Sequence, residues 1–167
     1  MNYEAVNLDK ASCDPIDVCR DCNPPAPAIG QDLIKNCWAV TDYTRYYVSK
    51  YYSLSGADKM KAEIYAHGPI SCGMDVTDNF EAYKGGIYSE VVEDPEINHE
   101  ISIVGFGYDE QTKTEYWIGR NSWGTYWGEK GFFRIEMYKN NLAIETDCIA
   151  GLPSYEKPTG NNQQFVQ

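Results

Sequence analysis

The 167-residue sequence contains no apolar run approaching the length of about 18 residues that a membrane-spanning helix needs. It has no basic excess either: 14 Lys and Arg face 25 Asp and Glu, for a net charge of −11. Nucleic acids and anionic membranes both select a basic surface, so neither is expected as a partner. No internal repeat is visible. The opening segment, Met1 to Lys10, is polar and lacks the apolar centre of a secretory signal. What the chain does have is apolar and aromatic material, at 43% and 14% of residues. That composition excludes wholesale disorder, and the length allows one domain with a real core.

Six cysteines stand against the missing signal: Cys13, Cys19, Cys22, Cys37, Cys72 and Cys148. The first four crowd into a segment rich in Asp, Pro and Asn, which reads as the loop-rich, cross-linked part of a secreted protein. A disulfide-bearing chain without a signal implies a true N-terminus further upstream. The alternative is a cytosolic protein with free thiols.

Periodicity is weak over residues 1–36, and Asn23 to Gly30, with three prolines, reads as an extended connector. Aromatic and β-branched residues between Trp38 and Tyr52 predict at least one strand. Ser55-Gly56-Ala57-Asp58 reads as a capping box opening a helix to about Ala66, with Met60 and Ile64 on one face and His67-Gly68-Pro69 as its end. A strand is expected over Pro69–Met74, a short helix around Asp78–Tyr83 and a turn at Gly85-Gly86. Three more strands are expected at about His99–Tyr108, Thr114–Asn121 and Gly131–Met137, the first with apolar residues at Ile101 and Ile103. The acidic runs Asp75–Glu81 and Glu90–Glu96 read as solvated faces, and the polar end from about Ser154 as a frayed tail.

Against this background one pattern carries chemistry. Asn98-His99 opens an apolar strand, and Asn121-Ser122-Trp123-Gly124 follows the next strand, with Trp127 beyond. The pattern resembles that of papain-family cysteine peptidases. The resemblance implies a thiolate–imidazolium mechanism in which the His acts as base, the Asn fixes the imidazole through its other nitrogen, and an indole shields that bond from water. Further segments resemble the cathepsin X (cathepsin Z) branch of that family: Gly68-Pro69-Ile70-Ser71-Cys72-Gly73, Gly85-Gly86-Ile87-Tyr88, Asn141-Leu142-Ala143-Ile144-Glu145 and the cysteine-rich Cys13–Cys37. The likeness covers residues 2–152.

The resemblance implies an α+β, papain-like fold: mainly the right-hand antiparallel β-barrel domain with short helices, the left-hand helical domain being largely absent. It divides the chain into a disulfide-rich loop segment at 1–37, the β domain at 38–152 and a flexible tail at 153–167. His99 and Asn121 become the catalytic pair, Trp123 and Asn98 their supports, and Gly73 and Trp127 lining residues of a substrate pocket. By the same likeness Cys72 pairs with Cys148, Cys22 with Cys37, and the partners of Cys13 and Cys19 lie upstream; these two either pair with each other or stay reactive. Cys19-x-x-Cys22 has a zinc-like spacing, but a second such knuckle is missing, so disulfides are expected over a Cys₄ zinc site and no metal or cofactor is implied.

The nucleophile is missing from this picture. Cys37-Trp38-Ala39 resembles the environment of the family's nucleophile, but Ile34-Lys35-Asn36 precedes it where the signature needs Cys-Gly-Ser or a close variant. No helix pattern follows to lower the thiol pKa. The family nucleophile also lies about 130–150 residues before its His, which for His99 falls outside the chain. The expectation is the C-terminal part of a lysosomal or secreted peptidase, acting on peptides, partnered by a papain half not in this chain and inactive alone. The competing expectation is a catalytically dead binding module or inhibitor decoy.

Overall fold

The computed structural model describes residues 14–23 and 37–157. The chain divides into two compact units, Met1–Tyr47 with Ser154–Gln167, and Val48–Pro153. In the first, a single helical turn, α1 (Pro15–Val18), leads into β1 (Arg20–Cys22), which pairs antiparallel with β2 (Cys37–Ala39). The register sets Cys22 opposite Cys37, and the two are joined as a disulfide. This pairing carries the N-terminal unit past the boundary expected at 37, because β2 belongs with β1. Cys13 and most of the expected connector, residues 24–30, lie outside the described residues.

The elements that follow are β3 (Arg45–Leu54), α2 (Ala57–His67), β4 (Ile70–Met74), α3 (Asp78–Glu81) and β5 (Ile87–Tyr88). After them come β6 (His99–Asp109), β7 (Thr114–Arg120), β8 (Phe132–Glu136), a 3₁₀ turn at Asn141–Ala143 and β9 (Cys148–Glu156). The larger sheet has seven strands in the order β3-β9-β4-β6-β7-β8-β5. The pairs β4–β6, β4–β9, β6–β7 and β7–β8 are antiparallel, whereas β5 joins β8 parallel. The expected antiparallel sheet therefore carries one parallel edge. Two residues after Gly85-Gly86 suffice to make it, because the partner strand is supplied from far along the chain.

The period-2 pattern sends Ile101, Ile103, Trp117, Phe133 and Ile135 to one buried face, together with Cys72 and Met74 of β4. Met60 and Ile64 of α2 cover that face. A register shift between Ile103 and Gly105 interrupts the alternation in β6. Cys72 and Cys148 are opposite each other on β4 and β9 and form the disulfide the resemblance implied, between residues 76 apart in sequence.

Two local expectations need correction. The start of α2 is not a capping box: the capping residue is Gly56, at φ 87°, and no side chain caps the helix. The Gly56 N–H instead donates to the Glu145 carbonyl, 2.8 Å away, so tertiary contact replaces the local cap. And β9 runs on through residues 153–156, part of the segment read as tail; its Gly151 and Pro153 hid a strand that lies between β4, paired at Cys148 and Ile149, and β3.

Candidate active site

β6 begins at His99 and β7 ends at Arg120, and their antiparallel register pairs Ser102 with Arg120. The start of one strand thus lies beside the end of the next. His99 Nε2 comes to 2.9 Å from Asn121 Oδ1. Asn121 is buried, and its Oδ1 also accepts the Ser122 backbone N–H at 2.8 Å. That second donor decides the orientation of the amide: only an oxygen can face both groups. The imidazole must then donate from Nε2, which leaves the Nδ1 lone pair as the basic position. Asn121 Nδ2 is buried and meets no acceptor among the described residues.

The loop after Asn121 returns at Gly131, whose carbonyl accepts the Asn121 N–H at 3.0 Å. Gly131 has φ 91°, a conformation that side-chain-bearing residues rarely hold. This closure brings Trp123 over the pair, with its ring centroid 5.0 Å from that of His99. Trp123 is 38% exposed, so it covers the imidazole on one side and meets solvent on the other. Trp127 packs edge-on against Trp123 at 5.0 Å and donates its indole N–H to the Glu81 carbonyl at 2.8 Å. The structure therefore assigns Trp127 first to the packing behind the shield. Beneath both indoles lies fully buried Phe80, in contact also with Tyr88 and Phe133.

Gly73 is buried on β4, paired with Glu100, and its neighbour Met74 is paired with His99. A Cβ at Gly73 would stand 2.6 Å from Ile97 Cγ2, so glycine is what lets Ile97 lie over the strand beside the pair. Asn98 does not touch His99's partner. It binds the end of β4: Oδ1 accepts the Val76 N–H at 2.8 Å, Nδ2 donates to Asp75 Oδ1 at 3.1 Å, and its backbone N–H donates to the Met74 carbonyl at 3.1 Å. His67, expected at the helix end, contacts the Glu63 carboxylate one turn earlier, at 2.9 Å.

The two acidic runs are more than solvated faces. Phe80, inside the first, is the centre of the aromatic cluster, and Asp75 holds the segment before His99. Glu90, in the second, accepts from Tyr88, Thr77 and Asn79. Burial pulls the Glu90 carboxyl up, but these hydrogen bonds outweigh it and hold it below its ordinary value. Burial, with the bond to Glu90, pushes the Tyr88 phenol up to about 12. The mixture of carboxylates with one apolar ring concealed these roles in the sequence.

Cys37 is bonded to Cys22, which leaves no thiol there and removes two of the four ligands of the alternative zinc site. Cys19, half-buried, has no disulfide partner among the described residues.

A His–Asn pair beneath an indole, at the ends of adjacent strands, is the arrangement that the sequence pattern implied, and residues 10–152 match the description "Papain family cysteine protease". The chain belongs to this family. A papain-family relative, "Cathepsin Z" of Onchocerca volvulus, is 45% identical over 155 residues, covering 89% of this chain and 46% of that protein. "Cathepsin C" of Schistosoma mansoni is 32% identical over 136 residues, covering 72% of this chain and 30% of the relative. Among solved structures, digestive procathepsin L 3 of Tenebrio molitor larval midgut superposes with a TM-score of 0.58 at 34% identity, over 63% of this chain and 35% of that one. The chain thus spans less than half the length of each of these relatives. The sheet with few helices is the C-terminal β domain of the papain-like fold.

Proposed function

We propose that this chain is the C-terminal part of a cysteine peptidase of the cathepsin X type, in which His99 is the general base and acid and Asn121 its orienter. The observation that carries the reading is the 2.9 Å contact between His99 Nε2 and Asn121 Oδ1, roofed by Trp123. With Nε2 held, Nδ1 is the nitrogen available to a thiol. It takes the thiol proton to give the ion pair, and the thiolate attacks the peptide carbonyl carbon. Nδ1–H then protonates the leaving amine as the C–N bond breaks, and water, deprotonated by the same nitrogen, hydrolyses the thioester. Asn121 keeps the ring in one orientation through both transfers. Trp123 lowers water access to the bond that does so.

The thiol itself comes, in this reading, from a helical half preceding the chain. Cys37, whose neighbours resemble a nucleophile's, is committed to a disulfide, and the chain covers 46% of the Onchocerca relative. Alone, the chain holds base and orienter and forms no acyl-enzyme. By the family likeness Gly73, next to the β4 residue paired with His99, and Trp127, packed against Trp123, would help line the substrate cleft. Likeness to the cathepsin X branch favours removal of single residues from a peptide C-terminus. Two disulfides favour a secreted or lysosomal site of action. No helix among the described residues is long and apolar enough to cross a membrane.

Reading the native transcript further 5′ tests the first point, since a nucleophile about 130–150 residues before its His falls roughly 30–50 codons upstream of Met1. An in-frame Cys-Gly-x-Cys-Trp segment supports the peptidase. A stop codon immediately before Met1 would leave a papain-like binding module instead. Co-expression with the upstream segment then tests the chemistry: His99→Ala should abolish peptide hydrolysis while leaving the two halves associated.

A further inference from the structure

Met74 and His99 form the last rung of the β4–β6 ladder, and beyond it a single backbone bond, from the Asn98 N–H to the Met74 carbonyl at 3.1 Å, ties the segment before the histidine to β4. Terminal rungs are where ladders open first. Asp75, the next residue, supplies what the ladder cannot. Its Oδ2 accepts the Glu96 backbone N–H at 3.2 Å and its Oδ1 accepts Asn98 Nδ2 at 3.1 Å. Asn98 is held further by Val76, whose N–H it accepts at 2.8 Å and to whose carbonyl it donates at 3.2 Å. The carboxylate's own backbone is anchored in turn, because the Asp75 N–H donates to the Leu142 carbonyl at 2.9 Å.

We propose that Asp75 is a positioning residue for the His99 imidazole. It does not touch the ring; it fixes residues 96 and 98, and so the direction in which residue 99 leaves the loop. A carboxylate suits the task because it presents two acceptor oxygens to two donors that come from different parts of one segment. An amide offers one oxygen and a methyl none. The 2.9 Å bond from His99 to Asn121 tolerates little displacement of the ring, since N–H···O bonds keep to about 2.7–3.2 Å and weaken steeply once the angle falls below about 120°. The catalytic meaning of this placement rests on the reading of His99 as the base, whereas its geometry does not.

The test reads the ring alone. The sequence has two histidines, and His67, on α2 with its contact to Glu63, serves as the internal reference. In the full chain labelled with ¹⁵N in the imidazoles, the bond to Asn121 predicts an Nε2–H of His99 protected from exchange with water. In Asp75→Ala that proton should exchange at least about tenfold faster while the His67 signals stay in place. Asp75→Asn, which keeps one acceptor, should fall between. Unchanged His99 exchange in both variants overturns the proposal, and so does a parallel change at both histidines, which would mean general loosening. If Asp75→Ala fails to fold, Asp75→Asn decides by the same two criteria. A wild-type His99 already in free exchange would instead remove the His99–Asn121 geometry, and with it both readings.

Discussion

Asn121 spends its carbonyl oxygen on two donors and leaves its amide nitrogen buried without an acceptor among the described residues. An unsatisfied buried donor costs about 1–3 kcal/mol, so the fold retains this side chain at a local loss in stability. In the peptidase proposed above, Asn121→Ala should therefore cost little in melting temperature yet lower kcat/KM roughly 10–100-fold, the loss expected when one strong hydrogen bond is removed. Steady-state kinetics beside a thermal melt would separate the two. A wild-type kcat/KM would mean that packing against Trp123 alone orients the imidazole. Tyr88 makes a different prediction. Its folded pKa, about 12, lies above its ordinary value of 10.0, chiefly through burial. The fold thus favours the neutral phenol, and the associated stability is present below pH 10 and lost as pH rises through about 12. Tyr88→Phe should flatten the fall in melting temperature over that window, and parallel curves for the two proteins would exclude Tyr88 as its source.

Between elements, β7 and β8 are packed closely where a glycine faces an aromatic ring. Gly119 is paired with Phe133, and a Cβ there would stand 2.1 Å from Phe133 Cζ, in the buried layer beneath the aromatic cluster. Gly119→Ala should destabilise the domain by about 1–3 kcal/mol, the usual penalty for overpacking. Gly105→Ala is the control, since its nearest neighbour would be Ile118 Cδ1 at an ordinary 3.8 Å. Denaturant unfolding of the pair checks this, and equal midpoints would mean that Phe133 swings aside freely. Such contacts also explain what the sequence did and did not disclose. β6, β7 and β8 alternate apolar and polar residues and so declare themselves; α2 shows a helical period at Met60 and Ile64. The His–Asn pair was legible because each residue borders one of these patterned strands. β9 was not, since Gly151 and Pro153 interrupt it and its neighbours in the sheet are β4, 76 residues away at the disulfide, and β3. Nor was Asp75, whose two partners are Glu96 and Asn98, more than twenty residues ahead. Local pattern carries local structure, and these two features depend on distant chain.

Over the whole molecule the disulfides divide by exposure. Cys72 and Cys148 are fully buried, whereas Cys22 and Cys37 are half-buried in a two-stranded ribbon. Access limits thiol–disulfide exchange, so a limiting reductant should open Cys22–Cys37 first. Alkylation followed by peptide mass analysis would show it, and equal labelling at Cys72 would contradict it. Closing a 76-residue separation stabilises the fold by roughly 4 kcal/mol in the chain-entropy view, so Cys72→Ala/Cys148→Ala should lose about that much. The paired residues of the site lie much closer in sequence. His99 and Asn121 are 22 residues apart, on one hairpin whose turn is held by Asp109 accepting from the Gln111 and Thr112 amides. Contacts of short sequence separation close early in folding, before long-range pairings have met their entropic cost. The 99–121 contact is thus closed within one stretch of chain: a circular permutation or chain break that spares residues 75–142, which also carry the Asp75 anchors and the Gly131 carbonyl, should leave the 2.9 Å bond in place.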